Sequence, residues 1–198
     1  VNLEQPSSAN IKIVTNKVYE GPPSVSKRES LDSSLNDSYD FGFIGFVTDK
    51  LDINFIQKLS CNYTVAIYGD FYDYKVRAKL SALKNVKLLG GFHYDDVPTI
   101  CNTFKVGLLP YRQEKSHDGS PLKLYEYLRH SRPVLTSIDY ELTNDKYIVN
   151  YRASNLDEDT LSEIIKLSGE REIADLLSEE NYLKSALSEI IHSILVKI

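Results

Sequence analysis

The sequence predicts an α/β fold, a doubly wound Rossmann-like parallel sheet with helices on both faces. Short apolar runs rich in β-branched and aromatic residues alternate with helical stretches of about ten residues, the rhythm of βαβ units. The runs read as buried strands, as parallel strands covered on both faces should. Several end on Gly or Pro, where a strand gives way to a loop.

The elements follow in order. Residues 1–40 contain one short strand candidate, "IKIVT" at 11–15, then a stretch rich in Ser, Pro, Gly and charge without periodicity, read as a linker or mobile loop. The ordered domain is expected over 41–198. It opens with the strand run "FGFIGFV" at 41–47. Helical spacing at "INFIQKLS" leads to the strand "TVAIYG", and "YKVRAKLSAL" to the strand "NVKLLG". "DDVPTICNTF" is helical from an acidic cap, "KVGLLP" is the fourth strand, and a polar loop runs from Tyr111 to Ser120. "PLKLYEYLRH" is a helix, followed by strands at "PVLTS" and "KYIVN" and by helix to the end. Leu183, Leu187, Ile190, Ile191, Ile194, Leu195 and Ile198 form one apolar stripe on a long amphipathic terminal helix.

Composition narrows the function. A net charge of -5 is unlike that of proteins that coat nucleic acid, so an anion must be held by a local site and no nucleic-acid partner is expected. Cys61 and Cys101 form no C-x-x-C motif and the histidines are not clustered, so neither a disulfide framework nor a metal site is expected, and a reducing cytoplasm fits. No apolar run spans a bilayer, and no signal peptide is evident. The chain begins at Val1 and lacks methionine, which suggests a fragment of a longer protein.

Topology locates the ligand. In the usual strand order 3-2-1-4-5-6 the winding reverses between the first and fourth strands, and the crevice lies outside their carboxyl ends. The loops lining it are "GFVTDK" and "YRQEKSHDGS". Ser120 is expected as N-cap and Pro121 as the first residue of the next helix, whose positive end is an anion site. Gly119 allows close backbone approach, and Lys123 adds an ammonium in the first turn. Diphosphate is the natural guest. Glu126 offers two acceptor oxygens to the vicinal hydroxyls of a ribose, and Asp118 can accept from a sugar hydroxyl. Read blandly, Lys123 and Glu126 are only a surface ion pair at i, i+3.

The segments "NVKLLGGFHYDDVPTICNTFKVGLLPYR" and "SPLKLYEYLRHSRPVL" resemble the C-terminal, donor-binding domain of GT-B fold glycosyltransferases of the glycosyl transferases group 1 type. The likeness runs over about 41–136 and is most specific from Pro121 to Val134. Asp118 and Glu126 have the separation of that family's two acidic residues. The resemblance implies half of a GT-B fold, entered through an interdomain linker. It implies that Glu126 holds the ribose, that Lys123 and the amides of Ser120, Pro121 and Leu122 surround the diphosphate, and that Asp118 faces the donor sugar. Phe92, His93 and Tyr94 would flank the base, and Gly45 would leave room for phosphates. It further implies a nucleoside-diphosphate sugar as donor, metal-independent transfer in polysaccharide or glycoconjugate synthesis, and a missing N-terminal acceptor domain through which the protein meets the inner face of a membrane. The chain departs from the family at Asp118, where a glutamate is usual, at "FVTDK", where only Lys50 stands in for the customary cations, and at Ser131, which replaces a glycine.

Other motifs read as decoys. Asp157 to Asp159 match an Asp-x-Asp metal pattern but open a helix, where acids favour the dipole. Ser116, His117 and Asp118 are consecutive, and consecutive residues do not make a triad. No G-x-G-x-x-G or phosphate-loop motif occurs. The competing readings are a non-catalytic α/β module docking through its terminal helix, and a sugar-nucleotide epimerase on the same fold.

Overall fold

The computed structural model describes residues 39–115, 121–154 and 156–177. The expected linker with its strand at 11–15, and the apolar stripe from Leu183 to Ile198, lie outside them. Six strands, β1 (Tyr39–Ile44), β2 (Val65–Tyr68), β3 (Val86–Gly90), β4 (Phe104–Leu109), β5 (Val134–Thr136) and β6 (Ile148–Asn150), form one sheet in the order β3-β2-β1-β4-β5-β6. All five pairings are parallel. This is the doubly wound order expected from the sequence. The first strand opens two residues earlier than the predicted domain start at 41, with Tyr39 pairing opposite Phe104.

Helices cover both faces because crossovers are right-handed and the strand order reverses direction between β1 and β4. They are α1 (Ile53–Leu59), α2 (Tyr74–Ser81), α3 (Val97–Cys101), α4 (Leu122–Arg129), α5 (Glu158–Lys166) and α6 (Arg171–Ala174). Two cores result. Phe41, Phe43, Ile56, Leu80, Leu108 and Leu161 build the one under α1, α2 and α5. Ile44, Ile100, Phe104, Leu124, Tyr127 and Ile173 build the one under α3, α4 and α6. Each fully buried Leu, Ile or Phe contributes about 1.5–3 kcal/mol, so this burial holds the layers together.

The chain after residue 155 was expected to be helical throughout, but a turn at 167–170 separates α5 from α6. Gly169 takes φ +87 in that turn, and its N–H bonds Ser131 O at 2.8 Å. Helical periodicity alone does not reveal such a break. Asp157 caps α5, its carboxylate accepting from Thr160 N–H at 2.9 Å. The acidic run is thus committed to a helix start.

The C-terminus of α4 places Ser131 where a glycine would be favoured. Ser131 N–H bonds Leu128 O and Arg132 N–H bonds Tyr127 O, each at 2.9 Å, the two bonds of a Schellman cap. Such a cap needs a left-handed residue, and Ser131 sits at φ +53, where glycine is favoured.

Candidate functional site

The crevice begins where β1 and β4 part. Their register runs through Gly42 opposite Gly107. Beyond it the Tyr127 hydroxyl enters the gap, accepting from Ile44 N–H at 2.9 Å and donating to Leu108 O at 3.4 Å. The Tyr127 ring reaches the sheet because residue 107 is glycine, where a Cβ would lie 2.4 Å from that ring. A buried phenol thus satisfies the backbone groups that the splayed strands leave unpaired.

Past the gap the chain turns at Gly45, with φ +127. Gly69, after β2, takes φ +141, and a Cβ there would come within 1.9 Å of Gly45 O. The two glycines let adjacent strand ends approach closely. Leu51 then bridges to Tyr111, and Arg112 N–H bonds Lys50 O at 2.8 Å, joining the loops after β1 and β4. Asp49 and Lys115 pair across the same junction. The Lys50 backbone therefore tethers the β4 loop, and its residue is exposed in the turn.

Lys123, one residue into α4, aims its ammonium at this junction. A Cβ on Gly45 would lie 2.5 Å from Nζ. Nζ donates to the Tyr111 hydroxyl at 2.6 Å and stands 4.5 Å from the Phe43 ring centroid. Among the described residues no carboxylate pairs with it. Burial alone pulls its pKa down to about 8. The sequence-level alternative, an ion pair between Lys123 and Glu126, does not form. Each side chain has other partners.

Glu126 is buried, 6% exposed, on the next turn. Its Oε1 accepts from the Tyr94 hydroxyl, which brings the loop after β3 over α4. Burial raises the Glu126 pKa, and the Tyr94 bond partly offsets this. Its Oε2 lies 3.8 Å from His130 Nε2. Burial, then the charges of Arg129 and Arg132, push the His130 pKa down to about 4, so the ring is neutral at pH 7.

The structure therefore unites Gly45, Lys123, Glu126 and Tyr94 at one place. Phe92 packs half-buried against the neighbouring core, and His93 is exposed, its N–H bonding Asp96 at 3.1 Å. Leu122 is 53% exposed. Pro121 differs from expectation: it stands at the N-cap position with extended ψ 144, and α4 starts at Leu122. A proline cap lacks a side-chain acceptor and leaves the helix-start amides to other partners. Asp118, Gly119 and Ser120 lie outside the described residues. Sequence reasoning missed Tyr111, Tyr127 and His130. No period or motif in the sequence marked any of the three.

A cleft of about 1240 Å³ opens elsewhere, between α1, α2 and α5, with Phe55, Lys58, Lys75 and Arg152 in its lining. Asp52, Tyr151 and Arg152 in its lining serve one another. Asp52 accepts from Phe55 N–H at 3.2 Å, Tyr151 at 3.1 Å and Arg152 at 2.6 Å, and Phe55 stacks on Tyr151 at 3.5 Å. Chemistry favours the crevice at Lys123 over this cleft. Among the described residues no group of three or more His, Cys, Asp and Glu could hold a metal ion, and no helix is long and apolar enough to cross a membrane.

No family model and no curated protein matches the chain. Solved structures do. HepE from Anabaena in complex with UDP matches with a TM-score of 0.56 at 11% identity, over 82% of this chain and 50% of that one. A TarM mutant from S. aureus, in complex with fondaparinux, α-GlcNAc-glycerol and UDP, matches with a TM-score of 0.53 at 15% identity, over 93% and 38%. MnaA from S. aureus, solved with UDP, matches with a TM-score of 0.51 at 13% identity, over 87% and 48%. What is shared is the fold. This chain spans half or less of the length of each. Weaker matches include glycosyltransferases and a UDP-GlcNAc 2-epimerase.

Proposed function

We propose that this chain binds the nucleoside-diphosphate part of a sugar nucleotide in the crevice between β1 and β4, as the donor-binding half of a glycosyltransferase. The observation that carries the reading is the Lys123 ammonium, half-buried beside Gly45 where the strand order reverses and paired with no carboxylate among the described residues. A partly desolvated cation without a counter-ion is costly, and an incoming anion removes that cost. The α4 N-terminus adds its dipole at the same spot, with amides that receive no side-chain cap among the described residues. Three structures of the same fold were each solved with UDP, which supports a nucleotide as guest.

In this reading Lys123 and the amides at Leu122 and Lys123 take the diphosphate, and Gly45 leaves it room. The ribose hydroxyls take the place of the Tyr94 hydroxyl on Glu126. In transfer, charge grows on the diphosphate as the sugar–oxygen bond breaks. Lys123 and the helix dipole neutralise it, acting where other transferases use a metal. Asp118 would contact the donor sugar, and a separate acceptor domain would supply the second substrate in polysaccharide or glycoconjugate synthesis.

Calorimetric titration with UDP, UMP and uridine tests this. Affinity should rise from uridine to UMP to UDP, and Lys123→Met should abolish most of the difference. Equal affinities for UDP and uridine in the wild type would contradict the reading. ADP and GDP in the same series identify the base.

A further inference from the structure

We propose that His130 is a positioning residue for Glu126, donating from Nε2–H to Glu126 Oε2 once a ribose has replaced the Tyr94 hydroxyl on Oε1. The inference rests on the ribose role given to Glu126 above. His130 is the C-cap of α4, and its N–H bonds Glu126 O at 3.2 Å, so its ring lies one turn from the Glu126 side chain. Nε2 is buried and makes no hydrogen bond among the described residues. The nearest carboxylate oxygen, Glu126 Oε2, is 3.8 Å away, beyond hydrogen-bond reach yet within a small side-chain movement of it.

Buried polar atoms without partners are rare, and one facing a candidate ligand-binding carboxylate calls for a state that satisfies it. The imidazole is neutral, so it carries one ring proton. On Nε2 that proton faces Oε2 as a donor; on Nδ1 it would leave a lone pair facing the carboxylate. The first tautomer is the favourable one. Tyr94 holds the other oxygen, Oε1, from the loop after β3. When ribose hydroxyls release Glu126 from Tyr94, the carboxylate is free to turn toward His130. His130 then fixes Oε2, and Glu126 presents its remaining acceptor sites to the ribose in a single orientation. A neutral donor suits this role because it leaves the carboxylate charge on Glu126 for the ribose hydroxyls.

UDP affinity, measured by calorimetry in the wild type, His130→Phe and His130→Gln, tests the assignment, with 2′,3′-dideoxy-UDP as control ligand. His130→Phe should weaken UDP roughly tenfold, the loss of about one hydrogen bond, and leave the dideoxy analogue unchanged. His130→Gln, whose amide can donate, should recover most of the loss. Equal weakening of both ligands, or no effect on UDP, overturns the proposal. Should His130→Phe not fold, nitrogen-15 NMR of the wild-type imidazole decides. Nε2 should be protonated and shift with UDP far more than with the dideoxy analogue; an unprotonated Nε2 in the UDP complex overturns the proposal. A wild type that binds none of UDP, ADP and GDP overturns the nucleotide reading itself; where ADP or GDP binds instead, the same series is run with that nucleotide and its dideoxy analogue. A wild type that binds both ligands equally removes only the ribose role of Glu126, and the His130 assignment with it.

Discussion

Replacing Lys123 with methionine should make the protein more stable and less able to bind. Burial lowers the Lys123 pKa from 10.5 to about 8, which corresponds to about 3 kcal/mol against the charged form in the folded state. Methionine fills much the same volume without charge. It forfeits the Tyr111 hydrogen bond and the contact with the Phe43 ring, together worth about 1–2 kcal/mol. The net gain at pH 7 is then about 1–2 kcal/mol, or roughly 2–8 °C in Tm. The sign follows from linkage. The folded pKa lies below the unfolded one, so the penalty is complete below about pH 8 and is relieved as pH rises toward 10.5, where the unfolded chain holds the extra proton. The advantage of Lys123→Met should therefore shrink over that window. UDP affinity should fall tenfold or more at every pH below 8. Urea unfolding at pH 7 and pH 10, with calorimetry for UDP, measures both. A destabilised variant that keeps its UDP affinity would refute the reasoning.

Four further outcomes follow from the same geometry. UDP affinity should hold steady up to about pH 8 and decline above it, with proton uptake on binding in the declining range, because an anion restores the Lys123 pKa; calorimetry in buffers of different ionisation enthalpy detects the uptake. Tyr94→Phe should cost about 1–2 kcal/mol of stability by leaving Glu126 short of a donor, and should tighten UDP binding because the ribose no longer displaces a hydroxyl. Gly45→Ala should lower stability by about 1–3 kcal/mol, since φ +127 strains alanine, and should weaken UDP because the new Cβ pushes against Nζ. Ser131→Gly should raise stability by about 0.5–1 kcal/mol by relieving the left-handed cap, leaving UDP binding unchanged; thermal unfolding checks it.

The sheet order was legible because apolar strand runs alternate with helical stretches, and right-handed crossovers leave few ways to wind six such strands. The same rule located the crevice, where Gly45 and Lys123 meet, with Glu126 one turn further along α4. Side-chain partnerships were not legible. Lys123 and Glu126 look like an ion pair at i, i+3, yet the helix turns Lys123 toward Tyr111 and Glu126 toward Tyr94, two tyrosines distant in sequence. Tyr127 resembled any core aromatic; its role between Ile44 and Leu108 depends on where two strands part, which no period encodes. The start of α4 shifted by one residue because Pro121 suits both the cap and the first helical position. Asp118, the residue tied most closely to the donor sugar by resemblance, lies outside the described residues.

The most direct test is amide NMR with the isotope-labelled chain titrated by UDP. Shifts should concentrate at Gly45, Tyr94, Lys123 and Glu126 and report one binding constant. Shifts confined to the cleft between α1, α2 and α5, or none at millimolar UDP, ADP or GDP, would contradict a nucleotide site at the β1–β4 crevice.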